Sequence, residues 1–254
     1  MNGYLVFARK EVQEIVRTWR IWVLPAIVLF FAVSGPFIAR YTPEIVGAVA
    51  GAQLGHLDLP TPSYLDAYGS WIKNLSQVTL FAIIIIYGGI VSSEVRNGTV
   101  LLVLSKPLSR GAFVAVKVVV NCVFVAALLC VGTLLTWALT LAIFGKAQAG
   151  PLWSAAAIWL VLAILYVAIM TLLSVAIGSA TGAAGAGIGV FALLSIAAIW
   201  KPLSDYSPAG LPGRAASLAA HTATSFVLWP VLSSLVASVV LVAIAVVVFR
   251  GKEL

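Results

Sequence analysis

Residues 153–177 read WSAAAIWLVLAILYVAIMTLLSVAI and contain no charged side chain. A helix of about 20 apolar residues crosses the hydrocarbon core of a bilayer, and this run exceeds that length. Similar runs lie on both sides of it, and none alternates strictly as a barrel strand would. The sequence therefore predicts an all-α membrane protein with six transmembrane helices, at about residues 21–38, 75–91, 118–144, 153–177, 183–200 and 229–249.

Composition excludes a water-soluble domain. Hydrophobic residues make up 62% of the 254 residues and charged residues 9%, whereas average proteins are about 45–50% apolar and about 25% charged. The net charge of +7 does not indicate nucleic-acid binding, because the basic residues sit at the ends of apolar runs instead of forming one stripe. The only cysteines, Cys122 and Cys130, lie within one apolar run and are interpreted as packing residues.

The distribution of lysine and arginine predicts the orientation. With six spans both termini share one side, which carries ten basic residues against five on the other. The positive-inside rule places both termini in the cytoplasm. Residues 92–117 are then a cytoplasmic segment between spans two and three. Residues 40–73 and 201–228 form outer loops with short interfacial helices, and residues 21–254 make up the transmembrane domain.

Residues 1–20 are predicted to form an amphipathic helix on the cytoplasmic side. Apolar side chains recur at helical spacing and would rest on the membrane surface, although an ordinary solvated helix is an open alternative. The apolar face comprises Tyr4, Val12, Ile15, Val16 and Trp19, and the polar side comprises Arg9, Glu11, Glu14, Arg17 and Arg20.

The sequence shows no enzymatic site. It has no phosphate-binding loop, and we expect no cofactor and no metal in this chain. Ser179 and His221 could suggest an intramembrane serine hydrolase, but the predicted topology puts them about 30 Å apart, on opposite faces of the bilayer. No ionisable residue lies near the middle of a span, which argues against a self-contained ion-driven carrier. A self-contained channel or carrier remains the alternative from another class.

Two further sets of residues are candidates for packing and for contact with a transported molecule. Small residues spaced four apart allow helices to approach closely, either within the chain or between chains. Few polar groups line the spans, so an amphipathic or apolar cargo is favoured. The packing set is Gly178, Gly182, Gly185 and Gly189, and the candidate pathway lining is Phe30, Phe31, Phe81, Tyr87 and Phe191.

The cytoplasmic segment carries the most specific signal. Gly98 permits a left-handed turn, and Thr99 can cap a helix that follows. The next residues, Val100, Leu101, Leu102, Val103 and Leu104, form an apolar run in a region expected to face the cytosol. Such a run suggests a docking surface for a partner, although it could also pack beneath the bundle.

These residues, together with Pro107, Ser109, Arg110 and Lys117, resemble the motif of the ABC-2 type permeases. Those proteins are the membrane subunits of type V ATP-binding cassette exporters. The start of the chain, Ala8-Arg9-Lys10-Glu11 followed by Arg17 and Arg20, resembles the N-terminal helix of that family. The six-span plan agrees, so the resemblance covers the whole chain in outline and about 20 residues in motif.

The resemblance implies a division of roles. The segment from Glu94 to Leu104 would include a coupling helix that docks on a separate ATPase, with Glu94, Gly98 and Thr99 at motif positions. Residues 4–20 would be a connecting helix beside that ATPase. ATP and Mg²⁺ would bind the partner, which would be present in two copies with a permease homodimer. The family also implies a bacterial inner (plasma) membrane and a cargo such as a drug, a peptide antibiotic or a lipid.

Glu94 is the residue for which we expect the sharpest role. Its carboxylate could accept hydrogen bonds from nearby backbone N–H groups and fix the turn into the coupling helix. It could also pair with Arg96, Arg110 or a basic residue of the ATPase. The short turn at residues 178–183 carries no charge, so a second contact with the ATPase would be weak there.

Overall fold

The computed structural model describes residues 3–50, 61–99, 109–222 and 228–252. Within these ranges all the regular elements are helical, and six helical segments are long and apolar enough to cross a membrane. The predicted fold class and number of spans are thereby confirmed. The helices are α1 Gly3–Arg17, α2 Arg20–Ala50, α3 Tyr64–Asn74, α4 Leu80–Tyr87, α5 Ser92–Arg96, α6 Arg110–Phe144, α7 Ala149–Ile177, α8 Ala180–Ala197, α9 Lys201–Tyr206, α10 Leu211–Ala219 and α11 Leu228–Arg250.

Span one is longer than the sequence suggested. Helix α2 continues to Ala50 and includes Pro25, Pro36 and Pro43, whereas the predicted span ended at residue 38. Proline interrupts soluble helices, but membrane helices tolerate it because neighbouring groups satisfy the freed backbone. The apolar run therefore predicts only the part of α2 that crosses the hydrocarbon core, and the helix extends beyond that part.

Span two consists of three helical pieces, α3, α4 and α5. It begins at Tyr64 instead of residue 75, and the Ser63 amide donates to the Asp66 carboxylate at 2.7 Å in a capping box. A π-helical turn, Leu75–Thr79, joins α3 to α4, and a turn at residues 88–91 precedes α5. The polar residues of α3 explain why hydropathy alone placed this start too late.

Spans two and four form the core of the bundle. Large aromatic side chains from both spans are fully buried, among them Tyr68, Trp71, Trp159 and Tyr166. Helix α7 packs against α4, α6, α8, α10 and α11. Spans five and six lie at the outside, and α8 buries only Ala183 and Gly187. After α8, the short helix α10 covers one end of α7.

Span three also begins early. Helix α6 starts at Arg110, eight residues before the predicted start at Val118, so residues 110–117 are its first two turns and not part of a loop. The Ser109 hydroxyl caps it by accepting from the Ala112 amide at 3.1 Å. These two turns carry Lys117 into the interior.

Candidate functional site

Helix α1 is attached to the bundle by one face. Phe7, Glu11 and Ile15 recur every four residues, and all three are buried. The Phe7 ring lies 5.3 Å from that of Phe113 in the first turn of α6. The opposite side of α1 exposes apolar residues such as Val12 and Val16. The helix therefore has two apolar faces, one packed on the bundle and one free for the membrane surface.

Lys117 lies at the centre of this contact and is fully buried. Its ammonium donates to both carboxylate oxygens of Glu11, at 3.0 and 2.9 Å. It also donates to Oε1 of Glu94 at 2.9 Å. One side chain of span three thus connects α1 with the end of span two.

Lys10 makes the second connection between these elements. Its ammonium donates to Glu14 and Glu94, and to Glu11 at 3.1 Å. We call Lys10, Glu11, Glu14, Glu94 and Lys117 the charge cluster. It holds three carboxylates and two ammonium groups, drawn from α1, α5 and α6.

The structure corrects two expectations about these residues. Glu11 was placed on the polar side of the N-terminal helix, but it is only 2% exposed. Glu94 pairs with Lys10 and Lys117, and within the described ranges it makes no bond with Arg96, Arg110 or a backbone amide. The physical reason is the same in both cases: the buried ammonium of Lys117 requires carboxylate partners, and these two are within reach.

Protein cations offset most of the negative charge of the charge cluster. One oxygen from each of Glu11, Glu14 and Glu94 lies within 4.8 Å of the others, a spacing that can suit a metal ion. The ammonium groups of Lys10 and Lys117 lie between these carboxylates and supply the positive charge. The arrangement is therefore a structural ion-pair network that joins three elements.

Two members of the charge cluster on α1 keep their charge over a wide pH range. Burial opposes ionisation of Glu14, but the Lys117 charge and the Lys10 hydrogen bond outweigh it and lower its pKa to about 2. Burial also opposes the charged form of Lys10, yet hydrogen bonds to Glu14 and Glu94 raise its pKa above the usual range. The contribution of ionised Glu14 to folding stability is therefore lost only as pH falls well below about 4. The contribution of charged Lys10 is lost only as pH rises above about 10.

The turn after Glu94 has the geometry that glycine allows. Gly98 has φ of +70°, where a β-branched residue would be strongly strained. The Thr99 hydroxyl donates back to the Glu94 carbonyl at 3.2 Å. Val100, Leu101, Leu102 and Leu104 lie outside the described residues, as does the rest of the segment 100–108.

The start of span three is also tied to the end of span six. The guanidinium of Arg110 donates to the backbone carbonyls of Arg250, at 3.0 Å, and Lys252, at 2.7 Å. These carbonyls lie at the C-terminal end of α11, where a cation is favourable. The end of the bundle that holds the charge cluster therefore joins α1 to spans two, three and six.

A protein-family model described as an ABC-2 family transporter protein matches residues 5–205, which include the whole charge cluster. This chain belongs to the ABC-2 transporter family. It is the membrane component of an ABC transporter, and the family implies that it works with an ATP-binding subunit in a membrane. No curated protein sequence matches it.

The other basic residues of the predicted connecting helix have different surroundings in this permease. Arg9 and Arg17 are exposed on α1. Arg20 is not part of α1, because the helix ends at Arg17 and α2 starts at Arg20. Its side chain is half-buried where the two helices meet.

The glycines of span five do not pack as pairs within the permease. Gly178 has φ of +73° and ends α7, so the turn requires it. Gly182 meets the side chain of Ser179, which caps α8. A methyl group added at Gly185 or Gly189 would meet no atom of the described residues within 4 Å. The close intrachain contact is at Gly187, which the sequence pattern did not single out.

Substitution of Gly187 should separate packing within the protomer from packing between chains. A Cβ at Gly187 would clash with Met170 and lie 2.9 Å from Ile84. We expect Gly187→Leu to lower the free energy of unfolding by about 1–3 kcal/mol, as over-packing does. Gly185→Leu is the matched control and should leave protomer stability unchanged, as should Gly189→Leu.

Thermal unfolding in detergent and the size of the solubilised complex measure the two effects separately. A smaller complex for Gly185→Leu or Gly189→Leu, at unchanged protomer stability, would place these glycines against a second chain. Equal unfolding temperatures for Gly187→Leu and Gly185→Leu would contradict the intrachain contact.

The aromatic candidates for the pathway lining differ in how far they are buried. Phe81 and Phe191 pack together with ring centroids 4.7 Å apart, and both are half-buried, as is Phe31. Phe30 is mostly exposed. Tyr87 is fully buried inside the protomer, so its side chain does not line an open surface. Its place in the core follows from its position at the end of α4, facing the bundle.

The residues proposed for a hydrolase are separated by the fold. Ser179 caps the start of α8 by accepting from the Gly182 amide at 3.1 Å. Ser179 precedes the first residue of α8, whereas His221 follows α10, which comes after the last residue of α8. The serine therefore has a structural partner, and the transporter family accounts for the chain without hydrolysis.

Proposed function

We propose that this permease is the membrane subunit of an ATP-driven exporter whose ATPase docks on the segment that follows Glu94. The observation that carries the proposal is the charge cluster, which joins that segment to α1 and to span three. A displacement of α5 would be transmitted to Glu11 through Lys117 and to α1 through Lys10. Movement of the ATPase would thus displace α5, α1 and α6 together.

The surrounding chain suits this mechanism. Gly98 gives the segment a fixed left-handed turn, and the bond from Thr99 to the Glu94 carbonyl holds it against the end of span two. The exposed apolar side of α1 would lie on the membrane while its other face follows the charge cluster. ATP and Mg²⁺ would bind only the partner, and Glu94, Gly98 and Thr99 would serve coupling without any catalytic step.

The assembly that we propose has two permease copies and two ATPase copies. Spans five and six present long exposed faces in the single chain, and Gly185 and Gly189 lie on such a face. Spans one, two and five of both copies would line the pathway, with Phe30, Phe31, Phe81 and Phe191 as apolar contacts. This lining favours an amphipathic or hydrophobic cargo such as a drug, a peptide antibiotic or a lipid. The termini would face the cytoplasm of a bacterial inner membrane.

Co-purification tests the partnership. We expect the permease to purify with an ATP-binding cassette subunit, and cargo to move in proteoliposomes only when both that subunit and ATP are present. The matched control is the same complex with an ATPase that binds but does not hydrolyse ATP. Transport by the purified permease alone, without ATP, would contradict the proposal and favour a self-contained channel or carrier.

A further inference from the structure

A cavity of about 510 Å³ opens beside the charge cluster. It lies between the end of α1, the start of α2, span two and the first residue of α8. Its volume falls in the range of small-ligand sites, about 300–1,000 Å³. The cavity shares Lys10, Glu14, Glu94 and Thr99 with the coupling elements, but the coupling mechanism gives no role to the open space between them.

The cavity is polar on one side and apolar on the other. Charged groups of both signs line the polar side: the cations are Lys10 and Arg20, and the carboxylates are Glu14 and Glu94. These four charges sum to zero when all are ionised. Lys10 forms ion pairs with Glu14 and Glu94, whereas Arg20 pairs with no described residue. A ligand that itself carries both charges can therefore enter the site without changing its net charge.

Two of these groups retain unused hydrogen-bonding capacity. Arg20 is half-buried and makes no ion pair with any described residue. Its planar guanidinium is well suited to a phosphate group. Glu14 is 24% exposed and uses one oxygen for Lys10, which leaves the other for a donor. An ammonium group is such a donor.

The apolar side of the cavity leads to the membrane. Ile85, Ile86 and Gly89 of span two form this wall together with Ala180. Ile85 is 57% exposed, and Trp19 at the rim is 54% exposed. Tryptophan favours the interface between headgroups and hydrocarbon. The cavity therefore lies at headgroup depth, with an apolar exit for acyl chains.

We propose that this cavity binds the headgroup of a zwitterionic aminophospholipid from the leaflet on the N-terminal side, with its phosphate on Arg20 and its ammonium on Glu14. A quaternary ammonium cannot donate a hydrogen bond to Glu14, so a primary amine is preferred. An anionic headgroup without an amine supplies no ammonium for the second carboxylate oxygen of Glu14, whose first oxygen accepts from Lys10. The proposal concerns a resident lipid and does not depend on the coupling role of the cluster.

The test is a lipid titration of the delipidated full-length permease, followed by native mass spectrometry. Phosphatidylethanolamine, phosphatidylcholine and phosphatidylglycerol with identical acyl chains are compared, and free phosphoethanolamine serves as the soluble source of the same headgroup. We expect phosphatidylethanolamine to bind about tenfold more tightly than the other two lipids, since a charge-assisted hydrogen bond is lost with each. Equal affinity for the three lipids would overturn the proposal. If free phosphoethanolamine bound as tightly as phosphatidylethanolamine, the ligand would be a soluble headgroup compound and not a membrane lipid, which would also overturn it.

Matched variants locate the site. Arg20→Met keeps the apolar stem and removes the guanidinium, and we expect about a tenfold loss of phosphatidylethanolamine affinity. Arg17→Met is the control, because Arg17 is exposed and does not line the cavity. Ile85→Trp should reduce binding of the same lipid by filling the apolar wall. Identical affinities for Arg20→Met and Arg17→Met, with unchanged thermal unfolding, would contradict the assignment.

Discussion

Replacing Lys117 with methionine is expected to lower the free energy of unfolding of the permease by about 3–5 kcal/mol, the usual cost of removing one partner from a buried ion pair. Lys117 is fully buried, and methionine fills a similar volume without charge. The change leaves the Oε2 atom of Glu11 without its ammonium and leaves Glu94 with Lys10 alone. The unfolding temperature in detergent and the protease sensitivity of α1 measure the loss.

Lys146→Met is the matched control for this prediction. Lys146 follows the other end of the same helix, α6, and is exposed. We expect its substitution to change stability by less than about 0.5 kcal/mol. The double variant Lys117→Met with Glu11→Gln should recover part of the loss, because the unpaired carboxylate is then removed. Equal unfolding temperatures for Lys117→Met and Lys146→Met would show that the charge cluster does not hold α1.

Replacing Glu94 with glutamine should uncouple the transporter while leaving it assembled. Glutamine keeps the shape of the side chain, and Lys117 and Lys10 retain Glu11 and Glu14 as partners. The ion pairs between α5 and the other two elements become weaker hydrogen bonds from a lysine ammonium to an uncharged amide oxygen. We expect near-normal expression and binding of the ATPase. We also expect at least about a tenfold loss of cargo-stimulated ATP hydrolysis, equivalent to about 1.4 kcal/mol in the barrier.

Glu44→Gln is the control for Glu94→Gln. Glu44 lies on α2, is exposed and makes no ion pair with a described residue. Its substitution should preserve both assembly and ATP hydrolysis. Export at the normal rate in Glu94→Gln would contradict a coupling role for this residue. Glu94 would then only help to set the membrane topology, and coupling would depend on the apolar run at 100–104.

The sequence was sufficient for the parts of the fold that depend on bilayer physics. Apolar length alone located the six spans, although their ends differ because polar residues such as Asp66 and Arg110 are helical outside the hydrocarbon core. The positive φ of Gly98 agrees with the turn expected from glycine at that position. These features depend on local chemistry, which a single sequence displays.

The charge cluster depends on contacts that a single sequence does not display. Glu11 and Lys117 are 106 positions apart, so neither reveals the other. The predicted apolar face of α1 included Ile15, which is buried, but it omitted Phe7 and placed Glu11 on the polar side, although both are buried against the bundle. The available signal was the i, i+4 spacing of Phe7, Glu11 and Ile15. Gly187 was missed similarly, because its neighbour Met170 lies on another span.

Cysteine cross-linking from Thr99 tests the central claim most directly, because Thr99 is exposed at the described end of the proposed docking segment. Thr99→Cys is placed in a chain whose Cys122 and Cys130 are replaced by alanine, and the complex is treated with a short thiol-to-lysine cross-linker. Lys146→Cys, at the opposite end of α6, is the control. We predict a covalent adduct between Thr99→Cys and the ATPase subunit, and none from Lys146→Cys. An adduct from Lys146→Cys alone, or none from Thr99→Cys in a complex that hydrolyses ATP, would contradict docking at this segment.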